Sequence, residues 1–212
     1  MRVWHMNLLA SRLETIFPHA SRIHEHEDCH ECTRTQAWLS GRTRAAMHSH
    51  ADDASRAGSW LTDAFDWGAH RWPLYWCDLN QQRAIDCGAF ASIFSYCLTI
   101  ARVPHNRVQV IFPASPQERV KWDQTWCAAS ASTAWILDGH VYHESIIVHP
   151  DKQASVFVDT TDMVVIGARC DDPRYRPQLV RIIPDGWQPK MTEVSVAGRS
   201  LQVGTWQSWD TV

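Results

Sequence analysis

The stretch Asp86-Cys87-Gly88-Ala89-Phe90 marks the start of a helix and places a cysteine in its first turn. After it, apolar residues recur with the spacing that keeps one face of a helix buried: Phe90, Phe94, Cys97, Leu98 and Ala101. Asp86 is a favoured N-cap residue, so the helix is predicted to begin at Cys87. Unpaired backbone N–H groups and the positive end of the helix dipole favour a thiolate there. Cys87 is therefore predicted to be a nucleophile at neutral pH.

A nucleophilic cysteine needs a base, and the sequence downstream offers one on a predicted β-hairpin. Two runs rich in β-branched and aromatic residues, 140–148 and 154–160, flank a short polar break. A turn centred on Asp151 would place His143 opposite Asp159, with both side chains on one side of the sheet. We therefore predict that Asp159 orients His143, which acts as the base.

Each of these assignments has a rival. The competing bases are His140 and His149, and the competing carboxylate is Asp162. Cysteines are also commonly inert, small core residues, which is the alternative interpretation of Cys87. The agreement between the predicted helix start and the predicted hairpin favours the catalytic interpretation.

The order Cys87, His143 and Asp159-Thr160 resembles the transglutaminase-like branch of the papain-like cysteine enzymes. In that superfamily an Asp-Cys-Gly sequence opens a helix, and the helix ends in a segment similar to 101–108. A histidine and an aspartate followed by threonine then lie on later strands. The resemblance covers residues 55–162. It implies an α+β fold in which the nucleophile helix packs against an antiparallel β-sheet.

The chain departs from the superfamily pattern in two places. Glu144-Ser145 follows the histidine where an Ala-Trp pair is common, and Arg102-Val103 stands where Gly-Ile is common. The resemblance therefore indicates the superfamily and leaves the subfamily open.

An acyl-transfer site also needs hydrogen-bond donors for the oxyanion, and the backbone N–H of Cys87 can supply one. Gln81 is the predicted second donor, because its spacing from the cysteine is similar to that of the glutamine in papain-like enzymes. Gln82 and Trp76 are rivals, and a solvated loop glutamine is the plain alternative.

Three parts are predicted along the chain: an N-terminal helical and loop extension (1–50), a catalytic core (51–165) and a C-terminal extension (166–212) whose hairpin packs on the core. Apolar spacing predicts helices over 1–18 and 51–67 and a strand over 107–112. Residues 194–203 are predicted to form the last hairpin, with Gly198 in its turn.

The chain has twelve tryptophans, an unusually high number. Trp72 and Trp76 lie just upstream of the predicted nucleophile and are the predicted walls of a substrate cleft. The alternative is a tryptophan-rich core in which each indole N–H finds a partner.

A loop rich in potential ligands is predicted over 24–32. Cys29 and Cys32 have the spacing of half a zinc site, and several histidines lie nearby. A second Cys-x-x-Cys pair does not occur in the sequence, so we expect no cofactor. Structural zinc and a redox pair remain alternatives to a plain polar loop.

Composition and charge argue against several classes of partner. The net charge is −3 and no Lys/Arg cluster occurs, so no nucleic-acid partner is expected. No apolar run approaches the roughly 20 residues that span a bilayer, so no membrane partner is expected. Seven cysteines without disulfide-framework spacing, and an N-terminus without a Sec-type apolar region, favour the cytoplasm. Secretion through other signals is an alternative, and the oligomeric state does not follow from the sequence.

The chemistry predicted from these residues is acyl transfer. Cys87 attacks the amide or thioester carbonyl of a peptide, protein or small molecule, and His143 protonates the leaving group. Hydrolysis by a protease, peptidase or glutamine deamidase is favoured, because water is the default acceptor. An amine acceptor would make the chain a transglutaminase or amide synthase. The non-enzymatic alternatives are a peptide-binding module with a Trp-rich cleft and a zinc-stabilised domain centred on Cys29 and Cys32.

Overall fold

The fold was obtained as a computed structural model, which describes residues 2–16, 19–49, 57–58, 60–68, 70, 72–113, 136–137, 140–148, 156–159, 164–165, 177–184, 192–196 and 198–209. For residues 2–7, 49, 136–137, 156–159 and 164–165 the description covers the backbone alone. Within these ranges no helix is long and apolar enough to cross a membrane.

The chain has the α+β architecture predicted from its sequence. The helices are α1 (Arg2–Ile16), α2 (His30–Ser49), α3 (Leu61–Ala64) and α4 (Cys87–Ile100), with a 3₁₀ helix at Trp76–Asn80. The strands are β1 (Asp66–Trp67), β2 (Ala84–Ile85), β3 (His105–Pro113), β4 (Ile136–Leu137), β5 (His140–Val148), β6 (Val156–Asp159), β7 (Val164–Val165), β8 (Leu179–Ile183), β9 (Glu193–Val196), β10 (Arg199–Gln202) and β11 (Trp206–Ser208).

Local chemistry accounts for both ends of α4. Asp86 is extended (φ −86°, ψ 176°), and its side chain accepts a hydrogen bond from Ala89 N at 2.9 Å, which makes it an N-cap. At the other end Arg102 has a left-handed φ of 58°. Val103 N donates to Leu98 O at 2.9 Å, as in a Schellman motif. The predicted start of this helix is confirmed.

An antiparallel sheet of seven described strands lies against α4. Its order is β11-β8-β3-β5-β6-β7, and β4 also pairs with β5. The long central pair is β3–β5, nine residues on each strand. The predicted strand over 107–112 is confirmed as part of β3, and the predicted hairpin is confirmed as the antiparallel pair β5–β6.

The two faces of this sheet are covered by different parts of the chain. Side chains alternate along β5, so Ile146 enters a core shared with α2 and α4, while Ile147 enters a second core beneath β9 and β10. A third cluster joins Leu9 and Leu13 of α1 to Tyr142. Helix α4 therefore packs directly against β5, the strand that carries the predicted base.

The C-terminal part of the chain is built into the central sheet. Strand β8 pairs with β3, and β11 pairs with β8. The predicted last hairpin is confirmed as β9–β10, with Gly198 at φ 74° in its turn. Helix α2 likewise shares a core with α4. The hairpin β9–β10 packs on the central sheet, since it shares an apolar cluster with β3 and β5. The division of the chain into the parts 1–50, 51–165 and 166–212 stays a prediction.

The predicted helix over 51–67 is largely wrong within the described residues. Only Leu61–Ala64 is α-helical, and Phe65 is extended at φ −130°, ψ 139°. The chain approaches α4 very closely here, since a Cβ placed on Gly58 would lie 2.6 Å from Phe94 Cε2 and closer still to Phe94 Cδ2. Apolar side chains in this segment pack against the core without continuing one helix.

The sequence pattern does not predict α2, which begins at His30, inside the predicted loop 24–32. Its buried side chains keep helical spacing, but three of the five carry hydroxyl groups, so the apolar signal is weak: Cys32, Thr35, Leu39, Ser40 and Thr43. Both threonine hydroxyls donate at 2.9 Å to the carbonyl four residues earlier, which removes the cost of burying them.

Candidate active site

Cys87 and His143, which are predicted to act together, are hydrogen-bonded to each other. Cys87 is the half-buried first residue of α4. His143 is a half-buried residue of β5, and its ring centroid lies 6.4 Å from that of Phe112. The two meet because α4 packs against β5. The thiol and the imidazole that nucleophilic catalysis requires are therefore in contact.

The pKa of Cys87 is raised above its ordinary value. Burial is the largest cause, while the hydrogen bond and the charge of His143 lower the pKa. The negative charges of Asp86 and Glu144 add to the effect of burial. The predicted preference for a thiolate is therefore wrong, because burial and two carboxylates outweigh the helix start. The sulfur holds its proton near neutral pH, and His143 has to remove that proton during an attack.

Asp86 connects the start of α4 to two aromatic side chains upstream. Its Oδ2 accepts a hydrogen bond from Trp72 Nε1 at 2.9 Å, and its Oδ1 lies 3.2 Å from His70 Nε2. Burial on its own would raise the pKa of Asp86. The hydrogen bond and charge of His70, with a smaller contribution from Trp72, outweigh burial and lower that pKa. Asp86 is therefore an anion that holds Trp72 at the start of α4.

The two tryptophans predicted to wall a cleft differ in exposure. Trp72 is 38% exposed, and its ring centroid lies 4.8 Å from that of His70. Trp76 is buried in the core shared with α2 and α4, with its ring centroid 5.1 Å from that of Tyr96. Trp72 keeps its role as a candidate cleft residue, whereas Trp76 fits the core interpretation.

Glu144, the residue after the predicted base, is the centre of a buried polar network. It forms an ion pair with Arg107 and accepts a hydrogen bond from the Tyr142 hydroxyl. Its Oε1 also accepts hydrogen bonds from Ser21 N and Ser21 Oγ, both at 2.9 Å. The network ties β3, β5 and the segment between α1 and α2 together. In the sequence, Glu144 stands out only as a departure from the superfamily pattern.

This network also accounts for the glycine that follows the nucleophile. A Cβ placed on Gly88 would lie 2.5 Å from Ser21 Cβ. Ser21 is held where it is, because its carbonyl accepts hydrogen bonds from Ser92 Oγ at 2.9 Å and from Arg107. Gly88 is therefore needed for the close approach of this segment to α4.

The register of β5 and β6 differs from the predicted one by two residues. Ile146 pairs with Val158. One further step along the ladder brings Asp159 opposite Ser145 and not opposite His143. The predicted opposition is therefore wrong, although an offset of two residues keeps the same face of the sheet. Only the backbone of Asp159 is described, so its role in orienting His143 stays a prediction.

The predicted oxyanion donor Gln81 is exposed at the end of the 3₁₀ helix. Its rival Gln82 is half-buried, and the Gln82 side-chain amide donates to Ala84 O at 2.7 Å. That amide is already engaged by the backbone, which favours Gln81 over Gln82. The contribution of Gln81 stays a prediction.

Of the alternatives to the predicted base and carboxylate, only His140 lies among the described residues. His140 Nε2 lies 2.7 Å from Gln178 Oε1, so this ring is held by a residue next to β8. His149 and Asp162 lie outside the described residues. The hydrogen bond to Cys87 therefore favours His143 over His140 as the base.

A second group of reactive side chains lies at the start of α2. Cys29 and Cys32, the predicted half of a metal site, are joined by Cys77 of the 3₁₀ helix, with all three sulfurs within 4.8 Å of one another. A hydrogen bond from Cys32 N is the main reason that the pKa of Cys29 is lowered, whereas burial raises the pKa of Cys77 to about 12. Spacing gives no signal for Cys77, because it comes from a distant part of the chain.

Comparison with known proteins yields no relative of this chain. No family model matches it, no curated protein matches it and no solved structure matches it. Its function has to be inferred from the geometry around Cys87.

Proposed function

We propose that this chain is a cysteine-dependent acyl-transfer enzyme that acts on an amide or a thioester. The observation that carries the proposal is the hydrogen bond between Cys87 and His143 at the start of α4. Cys97 of the same helix provides a contrast, because it is fully buried and burial raises its pKa to about 12. Cys87 differs from Cys97 because it is only partly buried as a residue and has an imidazole partner, which an inert core cysteine does not need.

In the first step His143 removes the thiol proton of Cys87 while Sγ attacks the carbonyl carbon of the substrate. The negative charge that develops on the carbonyl oxygen is stabilised by the backbone N–H of Cys87, and Gln81 is the proposed second donor. Collapse of the intermediate breaks the C–N or C–S bond. His143 gives its proton to the departing amine or thiol, which leaves the acyl group on Cys87 as a thioester.

In the second step His143 takes a proton from water, and the resulting hydroxide attacks the thioester carbon. The acyl group leaves as a carboxylic acid, and Cys87 recovers its thiol proton from His143. Asp159 is the proposed carboxylate that keeps the imidazole oriented. Hydrolysis is favoured because water is the default acceptor. An amine in place of water would give a transglutaminase or an amide synthase.

Membership of the transglutaminase-like branch of the papain-like enzymes is part of the proposal. It is supported by a nucleophile helix that packs against an antiparallel sheet bearing the histidine. Both departures from the pattern have structural explanations. Glu144 is used in the ion pair with Arg107, and Arg102 occupies a left-handed position (φ 58°) that glycine adopts more easily.

The proposed substrate is a peptide, a protein or a small acyl compound with an apolar group next to the scissile bond. Trp72 supports this choice, because it is an exposed indole tied through Asp86 to the start of α4. A flat aromatic surface beside a nucleophile favours apolar or peptide groups.

The pairing of Cys87 with His143 is tested by alkylation with iodoacetamide over a range of pH, followed by peptide mapping. Because the pKa of Cys87 is raised, labelling should keep increasing above the roughly 8.5 of a free thiol. His143→Ala removes the interaction that lowers this pKa. Its labelling at pH 8 should be slower by about tenfold for each unit of increase in pKa. His140→Ala is the matched control and should label like wild type.

Turnover is tested with a panel of chromogenic peptide amides and aryl thioesters, with and without an added primary amine. Release of the chromophore should be lost in Cys87→Ala and in His143→Ala and retained in His140→Ala. Unchanged labelling of Cys87 in His143→Ala, with no turnover of any substrate, would contradict the proposal. The binding-module alternative, with Trp72 in its cleft, would then be favoured.

A further inference from the structure

Three free cysteines meet where two distant parts of the chain come together. Cys29 precedes α2, Cys32 lies in the first turn of α2, and Cys77 is the second residue of the 3₁₀ helix. Their sulfur atoms all lie within 4.8 Å of one another. This is the one group of three potential metal ligands among the described residues.

Contacts around the cluster hold the two segments together without using the sulfurs. Thr35 Oγ1 of α2 lies 3.1 Å from Asn80 Oδ1 of the 3₁₀ helix. Trp76 N donates to His24 O at 3.0 Å, which fixes the chain before α2 against the start of the same 3₁₀ helix. Cys32 is fully buried between these segments. The cluster is therefore part of a packed interface and not a chance approach of mobile loops.

We propose that Cys29, Cys32 and Cys77 bind one Zn²⁺ ion as thiolates. Thiolates are soft ligands that select zinc over magnesium and calcium. Zn–S bonds of about 2.3 Å in a tetrahedral arrangement place the sulfurs about 3.8 Å apart. The present separations are at most 4.8 Å, about 1 Å more than that value, so small side-chain rotations bring the three sulfurs to bonding distance of one ion.

Three protein ligands leave the fourth coordination position of zinc to a water molecule or a small external ligand. Among the described residues the group contains three cysteines and no histidine. His26, three residues before Cys29, stacks on Tyr75 with ring centroids 3.6 Å apart. A disulfide would engage only two of the three cysteines, since an S–S bond of about 2.05 Å joins two sulfurs and leaves the third as a thiol.

Zinc at this position cross-links α2 to the chain that leads into the proposed nucleophile helix. Residues 81–86, which include the short strand β2, connect the 3₁₀ helix to α4. An ion that binds the folded chain more tightly than the unfolded chain raises stability with its free concentration. Since α2 also shares an apolar core with α4, removal of zinc lowers the melting temperature and leaves the chain folded.

The test uses full-length protein purified under reducing conditions without a metal-affinity step. Elemental analysis should find one zinc per chain, and chelation should lower the melting temperature until zinc is returned. Cobalt added to the metal-free protein should give thiolate-to-cobalt charge-transfer absorption. Cys77→Ala should weaken zinc binding by at least about tenfold, since replacing a residue that only hydrogen-bonds to a metal ligand already costs that much. Cys87→Ala should keep full zinc content, which separates this site from the proposed catalytic one.

The proposal is overturned if the reduced protein neither contains zinc nor gives the cobalt charge-transfer band. It is also overturned if freshly purified protein has a mass lower by two hydrogens and peptide mapping finds a disulfide among these three cysteines. If Cys77→Ala does not fold, the cobalt spectrum of the wild-type chain decides alone.

Discussion

Two helix starts in this protein carry cysteines, and their thiols differ in acidity. Cys87 opens α4, and Cys29 lies immediately before α2. The pKa of Cys87 is raised, chiefly by burial, whereas the pKa of Cys29 is lowered, chiefly by the backbone N–H of Cys32. A helix start therefore does not set the chemistry of a cysteine by itself. Burial, neighbouring charges and hydrogen bonds from backbone N–H groups decide it together.

The neighbours also suit the two thiols to different tasks. Asp86 and Glu144 disfavour a further negative charge on Cys87, while His143 can accept its proton at the moment of reaction. Cys29 has two other sulfurs within 4.8 Å, an arrangement in which a cation compensates several thiolates at once. The first environment favours proton transfer, and the second favours metal binding.

The largest loss of stability is expected for Glu144→Ala, which disrupts the buried network beside Cys87. Glu144 and Arg107 are 1% and 2% exposed. Arg107 loses the carboxylate that neutralises it, so the free energy of unfolding should fall by about 3–5 kcal/mol. Urea denaturation at pH 7 measures the change.

Glu31→Ala is the matched control at the start of α2. Glu31 and Arg34 form an ion pair one helical turn apart, with side chains 49% and 71% exposed. Solvent screens this pair, so its loss should cost less than about 1 kcal/mol. Equal losses in Glu144→Ala and Glu31→Ala would mean that the buried network does not hold the α4 start in place.

The second prediction compares one glycine in each helix. In Gly88→Ala the new Cβ would lie 2.5 Å from Ser21 Cβ, and overpacking should cost about 1–3 kcal/mol of unfolding free energy. In Gly41→Ala, inside α2, the new Cβ meets nothing within 4 Å, and alanine should stabilise the helix by about 1 kcal/mol. Thermal and urea unfolding measure both variants. A neutral Gly88→Ala would contradict the tight packing of Ser21 on α4.

The sequence predicts the start of α4 well, because the signals are local. An N-cap at Asp86 and helical spacing after Cys87 depend only on nearby residues. The raised pKa of Cys87 was not predictable in this way. It depends on burial and on the charges of Asp86 and Glu144, and Glu144 reaches the site only because α4 packs against β5.

The features that the sequence did not predict correctly depend on contacts between distant parts of the chain. The register of β5 and β6 depends on a connection whose length and shape the sequence does not specify, so Asp159 was assigned to the wrong opposite residue. Cys77 joins Cys29 and Cys32 only after the 3₁₀ helix packs on α2. Likewise, Trp76 and Trp72 differ in exposure because of tertiary packing, although they are four residues apart in the sequence.

The third prediction changes one charge at the start of α4. Asp86→Asn keeps an oxygen that can accept the hydrogen bond of Ala89 N, so the helix cap should survive. It removes a negative charge that raises the pKa of Cys87, so alkylation of Cys87 at pH 7 should become faster, by up to about tenfold. Asp78→Asn, which removes a carboxylate at the 3₁₀ helix, should leave the rate at Cys87 unchanged.

Asp86→Asn also tests how the free energy of unfolding depends on pH under acidic conditions. The pKa of Asp86 is lowered in the folded chain, so the unfolded chain binds the proton more tightly. The stability that this carboxylate supplies is therefore fully present above its ordinary pKa of about 3.9 and is lost as the pH falls through the lower folded value. Asp86→Asn removes this contribution, so its free energy of unfolding should decrease less than that of wild type when the pH falls from 5 to 2. Parallel curves, together with an unchanged alkylation rate at Cys87, would mean that the charge of Asp86 does not distinguish the α4 start from the α2 start. The difference between the two thiols would then come from burial at Cys87 and from the backbone N–H of Cys32 at Cys29.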